Sequence, residues 1–148
     1  MKYNFKLQAP LATFLLRIPL SVMFFQQGLS KYNGDMGAEA EMWNLPYIVW
    51  WFVTYGEIGS ALGLLVGGVI GVIPWHNWFS KFYQTVIWNI GDILTRFSAI
   101  TMTCVVTGVI WLMSPDSFWD VIWRDYLHVS LYVGGLYFAL RGNAKYGV

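Results

Sequence analysis

The sequence predicts an all-α membrane protein: a four-transmembrane-helix bundle with one amphipathic interfacial helix between helices 2 and 3. Three observations carry this expectation. First, the chain has 148 residues, of which 57% are hydrophobic and only 11% charged. A soluble domain is about 45–50% apolar and about 25% charged. With a mean hydropathy of +0.50 the chain has too few charges to cover a water-facing surface. Second, four apolar stretches approach or exceed the ~20 residues that span a bilayer. They fall at residues 9–30, 46–73, 93–113 and 118–140 and form a single transmembrane domain over 1–148. Third, many of the nine tryptophans fall at the ends of these stretches, where amphipathic rings sit at headgroup depth.

The first stretch contains Arg17 and Pro19 and ends on Gln26, Gln27, Gly28 and Lys31. Its interruption by arginine and proline, with no small-residue cleavage site after it, reads as a retained helix rather than a signal peptide. Residues 32–45 hold Asp35, Glu39 and Glu41 and predict a solvent loop with room for a short helix capped by Asp35. The second stretch is framed by Pro46 and Pro74, a good first-turn residue and a good stop. Residues 75–90 place Trp75, Trp78, Phe79, Phe82, Tyr83 and Val86 on one helical face and His76, Lys81, Gln84 and Thr85 on the other. That pattern predicts the interfacial helix. The third stretch opens near Arg96 and carries Ser98, Thr101, Thr103 and Thr107. The fourth contains His128 and Gly134–Gly135.

Within the second stretch, residues 55–71 read YGEIGSALGLLVGGVIG, with glycines at Gly59, Gly63, Gly67 and Gly71. On a helix, glycines four apart line one face and let a neighbouring backbone approach. Glu57 lies beside them. A charge at the centre of a bilayer costs on the order of 2.5–3.5 kcal/mol, so charges on separate helices are cheapest when they meet. This predicts an intramembrane cluster of Arg17, Glu57 and Arg96, with Lys31 as a further member. Either a structural ion pair or a polar pocket for a quinone head group or an anion satisfies it. Counting from the helix ends puts His128 at the depth of Glu57, with Tyr55 and Tyr126 near in sequence. A histidine and a carboxylate there can bond quinone carbonyls and pass protons.

Other chemistries find no support. The net charge of +1 leaves no nucleic-acid footprint. Cys104 stands alone, so an intrachain disulfide and a CxxC pair are excluded. Phosphate-loop, nucleophile-elbow, zinc-protease and dinucleotide motifs are missing, and no metal site is expected. His76 and His128 are predicted at different depths, which argues against a bis-histidine haem within one chain.

Laid out in this way, the chain resembles the DoxX family of small four-helix membrane proteins. Arg17 followed by Gly28-Leu29-Ser30-Lys31 is similar to the family's arginine and its G-x-x-K ending. Glu57-Ile58-Gly59, with Gly63 and Gly67, is similar to its glutamate and glycine-rich run. Thr95-Arg96-Phe97-Ser98-Ala99 resembles its third-helix start. Residues 141–147 resemble a G-x-G-R-Y-S-x-D ending, with Ala144 in place of the second glycine, Gly147 in place of the serine and no aspartate. The resemblance implies an accessory subunit of a larger membrane redox complex, with other membrane subunits and the lipid bilayer as partners. It also implies an alternative, a quinone-reducing subunit of the thiosulfate:quinone oxidoreductase type, and the tryptophan-rich composition leaves a third, a scaffold in a photosynthetic or oxygenase assembly. Quinone is the one cofactor it suggests, and catalysis by this chain alone is not expected.

Lysines and arginines give the orientation. Lys2, Lys6, Lys81, Arg141 and Lys145 collect on one side, and most acids on the other. This places both termini in the cytoplasm; with the family resemblance, the expected location is a bacterial or archaeal cytoplasmic membrane. Reporter fusions at the two ends are expected to read the same compartment. Opposite readings would exclude an even number of crossings.

Overall fold

The computed structural model describes residues 5–73 and 80–143, with side chains from residue 11 onward. All regular structure among these residues is helical, in six elements: α1 (Phe5–Asn33), α2 (Met36–Met42), α3 (Tyr47–Val72), α4 (Lys81–Leu112), α5 (Phe118–Arg124) and α6 (Tyr126–Arg141). Two of them, α3 and α4, are long and apolar enough to cross a membrane by length and composition.

The four long helices alternate in direction. Arg17 of α1 bonds to Leu64 of α3, while Lys31 at the far end of α1 reaches back to Glu57. Gly56, Gly63 and Gly67 of α3 meet Thr101, Ser98 and Thr95 of α4 in reverse order. Arg96 of α4 meets the last carbonyls of α6. The start of α1 and the end of α6 therefore lie at one end of the bundle, called the inner end below. The core between the helices holds Phe24, Leu64, Ala99, Met102, Val106, Leu131 and Phe138. Leucine, isoleucine and phenylalanine side chains also face outward on every long helix, such as Leu15, Phe52, Phe97 and Leu136.

Three expectations change. The separate interfacial helix is absent over its described part. Residues 81–90 form the first turns of α4, which runs unbroken for 32 residues. No proline interrupts this stretch, and Gly91 within it lets α3 come close: a Cβ there would stand 2.5 Å from Ile70 Cγ2. The described part of the aromatic stripe, Phe82 and Tyr83, is exposed and belongs to a helix that continues into the bundle. Residues 75–79, with His76, lie outside the described residues.

The fourth predicted crossing is two helices. Asp125 leaves helical geometry at φ −112°, ψ 52° and caps α6, accepting from the His128 backbone N–H at 3.4 Å. Ser117 caps α5 in the same manner, accepting from Asp120 N–H at 3.2 Å. The 16 residues of α6 rise only about 24 Å. The short helix α2 forms as expected, with Asp35 Oδ1 accepting from Gly37 and Ala38 N–H at 3.0 and 3.1 Å.

The glycine face is shorter than its sequence pattern. Gly63 and Gly67 pack on α4, and a Cβ on Gly67 would lie 2.9 Å from the Gly91 carbonyl oxygen. Gly71 faces Asn143. Gly59 has open space around it and packs on nothing, because the helix has turned that position outward. Gly67→Ala is therefore expected to destabilise the fold by about 1–3 kcal/mol, the usual cost of forced overpacking. Gly59→Ala should be neutral or stabilising by up to about 1 kcal/mol through lost backbone entropy. Unfolding midpoints of the two variants in detergent measure the contrast.

Candidate functional site

The predicted charge cluster separates into two sites at opposite ends of the bundle. Arg17 and Lys31 lie on the same helix, about 21 Å apart by rise. Glu57 packs opposite Lys31, and Arg17 packs opposite the part of α3 near Leu64 and Gly68. The geometry of two antiparallel helices thus keeps Arg17 from answering Glu57.

At the inner end, Arg17 is 3% exposed. Its Nη1 donates to Leu64 O at 3.1 Å and Thr95 Oγ1 at 2.9 Å. Its Nη2 donates to Asn143 Oδ1 at 2.6 Å and Gly142 O at 3.4 Å. The guanidinium also stands 4.7 Å from the centre of the Phe138 ring. Asn143 completes the arrangement. Its Nδ2 donates to Gly67 O at 2.7 Å, its backbone N–H to Asp92 Oδ1 at 2.6 Å, and its Oδ1 accepts from Thr95 at 3.0 Å. One asparagine side chain and backbone thus join α1, α3 and α4 to the end of α6. The chain reaches it through Gly142, whose φ of 60° suits glycine and whose Cα faces Arg96 and Asp92. Arg96, predicted to join Glu57, instead pairs with Asp92 at 2.8 Å and caps α6, donating to the carbonyls of Ala139, Leu140 and Arg141 at 2.9, 2.7 and 3.2 Å. A cation at a helix C-terminus answers both the free carbonyls and the dipole.

At the outer end, Glu57 is 3% exposed and accepts from Lys31 Nζ through both oxygens, at 2.8 and 2.7 Å. Lys31 Nζ also lies 5.8 Å from the centre of the Trp50 ring. The Trp50 indole N–H donates to Glu39 of α2 at 3.1 Å. On α6, His128 Nδ1 is 2.7 Å from each oxygen of Asp125. Lys31, Glu39, Trp50, Glu57 and His128 share the wall of a cavity of about 340 Å³. Phe24, Val106 and Leu131 form the rest of its inner wall, and Trp43 and Met42 lie at its rim.

The structure therefore brings Lys31, Glu57 and His128 of the sequence-predicted residues to one cavity. Tyr55 and Tyr126 are not part of it. Tyr55 packs on Trp51 and Tyr32 at the bundle surface, with ring centres 4.5 and 6.0 Å away, and Tyr126 is 76% exposed. Both precede an inward position by two residues, which on a helix turns a side chain about 200° away. Sequence reasoning missed Glu39, Trp50, Asp125, Thr95 and Asn143. Asp125 carried a readable signal, being an acid three residues before a histidine at a helix start. Cys104 is exposed on the outer face of α4, away from both sites.

An all-helical bundle with two membrane-length apolar helices, outward-facing hydrophobic side chains and polar groups held inside is a membrane protein. A family model described as DoxX matches residues 12–71, so that part of the chain is similar to the DoxX family. The match spans Arg17, Lys31, Glu57 and the glycines through Gly71; Arg96 and the ending lie outside it. No curated protein and no solved structure matches the chain.

Asn143→Ala removes the acceptor of Arg17 and the donor to Gly67 together. It is expected to cost about 2–3 kcal/mol, since bonds to charged groups contribute about 1.5–3 kcal/mol. The outer pair separates differently. Lys31→Met and Glu57→Leu should each destabilise by several kcal/mol, because each leaves one buried charge alone, roughly 3–5 kcal/mol for such cases. The double variant should recover most of that loss. Unfolding in detergent of all four forms tests the cycle. Additive losses would show that the two charges act independently.

Proposed function

We propose that the protein is a four-crossing membrane subunit of a larger redox assembly, and that its outer cavity holds the head group of a quinone-class ligand. The cavity carries this reading. About 340 Å³ fits a single substituted ring. The wall combines apolar surface from Phe24, Val106 and Leu131 with the Lys31–Glu57 pair and with His128, which Asp125 holds from outside the lining. Such a lining suits a flat, lipid-soluble ring with oxygens at its ends.

The crossing number is supported by the alternating directions of α1, α3, α4 and α6 and by their outward apolar side chains. In this reading α1 and α6 join α3 and α4 in the bilayer, and α5 rests at the outer surface. Trp119 and Trp123 are 64% and 77% exposed on α5, as interfacial tryptophans are. The inner end then faces the cytoplasm, where Lys81 and Arg141 lie. The subunit role rests on the small extramembrane mass. With α2 and α5 as its only helices outside the long four among the described residues, the chain offers little room for a site that accepts electrons from a soluble donor.

Isolation from native membranes in a mild detergent is expected to yield a complex larger than this chain, with quinone extractable by solvent in near-equal amount to it. In the Lys31→Met/Glu57→Leu double variant the extracted quinone should fall at least tenfold while the protein still accumulates. A protein that purifies alone and free of quinone overturns the proposal.

A further inference from the structure

The inner wall of the outer cavity is unbalanced in its hydrogen-bonding capacity. Glu57 and Glu39 present carboxylate oxygens, which accept only. The Trp50 N–H is already given to Glu39, and two of the three Lys31 N–H donors are given to Glu57. His128 resolves by its partner. Both oxygens of Asp125 face Nδ1 at 2.7 Å. A carboxylate there holds the proton on Nδ1, so the neutral ring carries its lone pair on Nε2. Asp125 lines a different hollow, with Arg124 and Val121, and is not part of the cavity lining. Nε2 has no hydrogen bond to a described residue and is the acceptor left for a ligand.

We infer that the cavity selects a ligand that donates hydrogen bonds, and that within the quinone class it takes the quinol in preference to the quinone; this rests on the head-group reading above. A quinone offers two carbonyl oxygens, both acceptors, which would face Nε2 and two carboxylates with one free lysine N–H to share. A quinol offers two phenolic O–H donors to the same wall. One O–H is received by His128 Nε2 and the other by the free lone pairs of Glu57 or Glu39. A buried site built to receive an O–H rejects the analogue that lacks it strongly, because its own polar groups are then left unpaired. The donors that remain, on Gln27, Ser30 and Trp43, belong to exposed rim residues and do not change the inner wall.

The test is equilibrium binding to the full chain in nanodiscs, followed by tryptophan quenching or calorimetry. Three probes share one ring and one decyl tail: the benzoquinone, its quinol kept reduced, and the dimethyl ether of that quinol. The quinol is expected to bind at least tenfold more tightly than the quinone, and the ether no better than the quinone. His128→Phe should bring the quinol-to-quinone ratio close to one. The ether on the unaltered chain decides the matter if that variant does not fold. Equal or tighter binding of the quinone overturns the inference and leaves the head-group reading standing. Absence of binding by all three overturns both. Decylamine, a donor without the ring, should bind more weakly than the quinol. If it binds more tightly, the cavity is a cation site and the inference falls.

Discussion

Everything at the inner end of this protein follows from one buried guanidinium. Arg17 is an obligate cation within an apolar bundle, and none of its hydrogen-bond partners among the described residues is a carboxylate. Its five N–H donors must be satisfied by oxygens that other helices bring to it. Leu64 and Thr95 supply two from α3 and α4, which come close enough because Gly67 has no side chain to hold them apart. Gly142 and Asn143 supply two more from the end of α6. Asp92, which receives the Asn143 N–H and pairs with Arg96, adds the nearby negative charge. The arginine thus sets the distance between α3 and α4 and the point at which α6 stops.

The two polar sites divide their roles by what they leave unused. At the inner end the asparagine, the threonine and the aspartate all spend their hydrogen-bonding groups on each other and on backbone. Nothing there is offered outward, and the arrangement behaves as a clasp. At the outer end the same helices diverge around a cavity, and groups with remaining capacity face it. Glu57 and Gly67 are fewer than three turns apart on α3, yet one lines a cavity and the other packs on α4 too closely for a Cβ. The difference is residue size at the contact. Gly63 and Gly67 close α3 on α4, whereas at the level of Glu57 the bundle must accommodate Trp50, Phe24 and Val106.

Much of this was legible in the sequence. The long apolar runs, the short capped helix at Asp35 and the close packing at Gly63 and Gly67 all follow from periodicity and from the chemistry of caps and glycine. The charge partners did not. Composition predicts that buried charges must meet, but the choice among Arg17, Lys31 and Arg96 as the mate of Glu57 depends on helix direction and register, which a single helix pattern does not contain. Arg96 found the carbonyls at the end of α6, a partner with no side-chain signature at all. Asn143 was hidden for a related reason, since it lies beyond the last helical residue and its bonds run to three other helices. The end of the third element was read correctly and its start was not, because a helix whose first turns stand outside the bundle has the amphipathic pattern of a surface helix.

The clasp and the cavity lie at the two ends of α6. Asn143 sits just past its C-terminus, and His128 lies near its N-terminus, about 22 Å away by helical rise. A helix of this length is stiff along its axis, so a displacement at one end is transmitted to the other. At the inner end Arg17, Arg96 and Gly67 fix the height of α6 in the bundle. At the outer end Asp125 fixes both the first turn of the helix and the tautomer and direction of the His128 ring, with one carboxylate serving as cap and as ring partner. Between these points Gly134 and Gly135 let α6 lie against Leu20 of α1 and Thr103 of α4. The imidazole thus meets the cavity at a height set by bonds at the opposite end of the protein. A change at Arg17 or Asn143 is therefore expected to act on the position of His128, although neither residue lines the cavity.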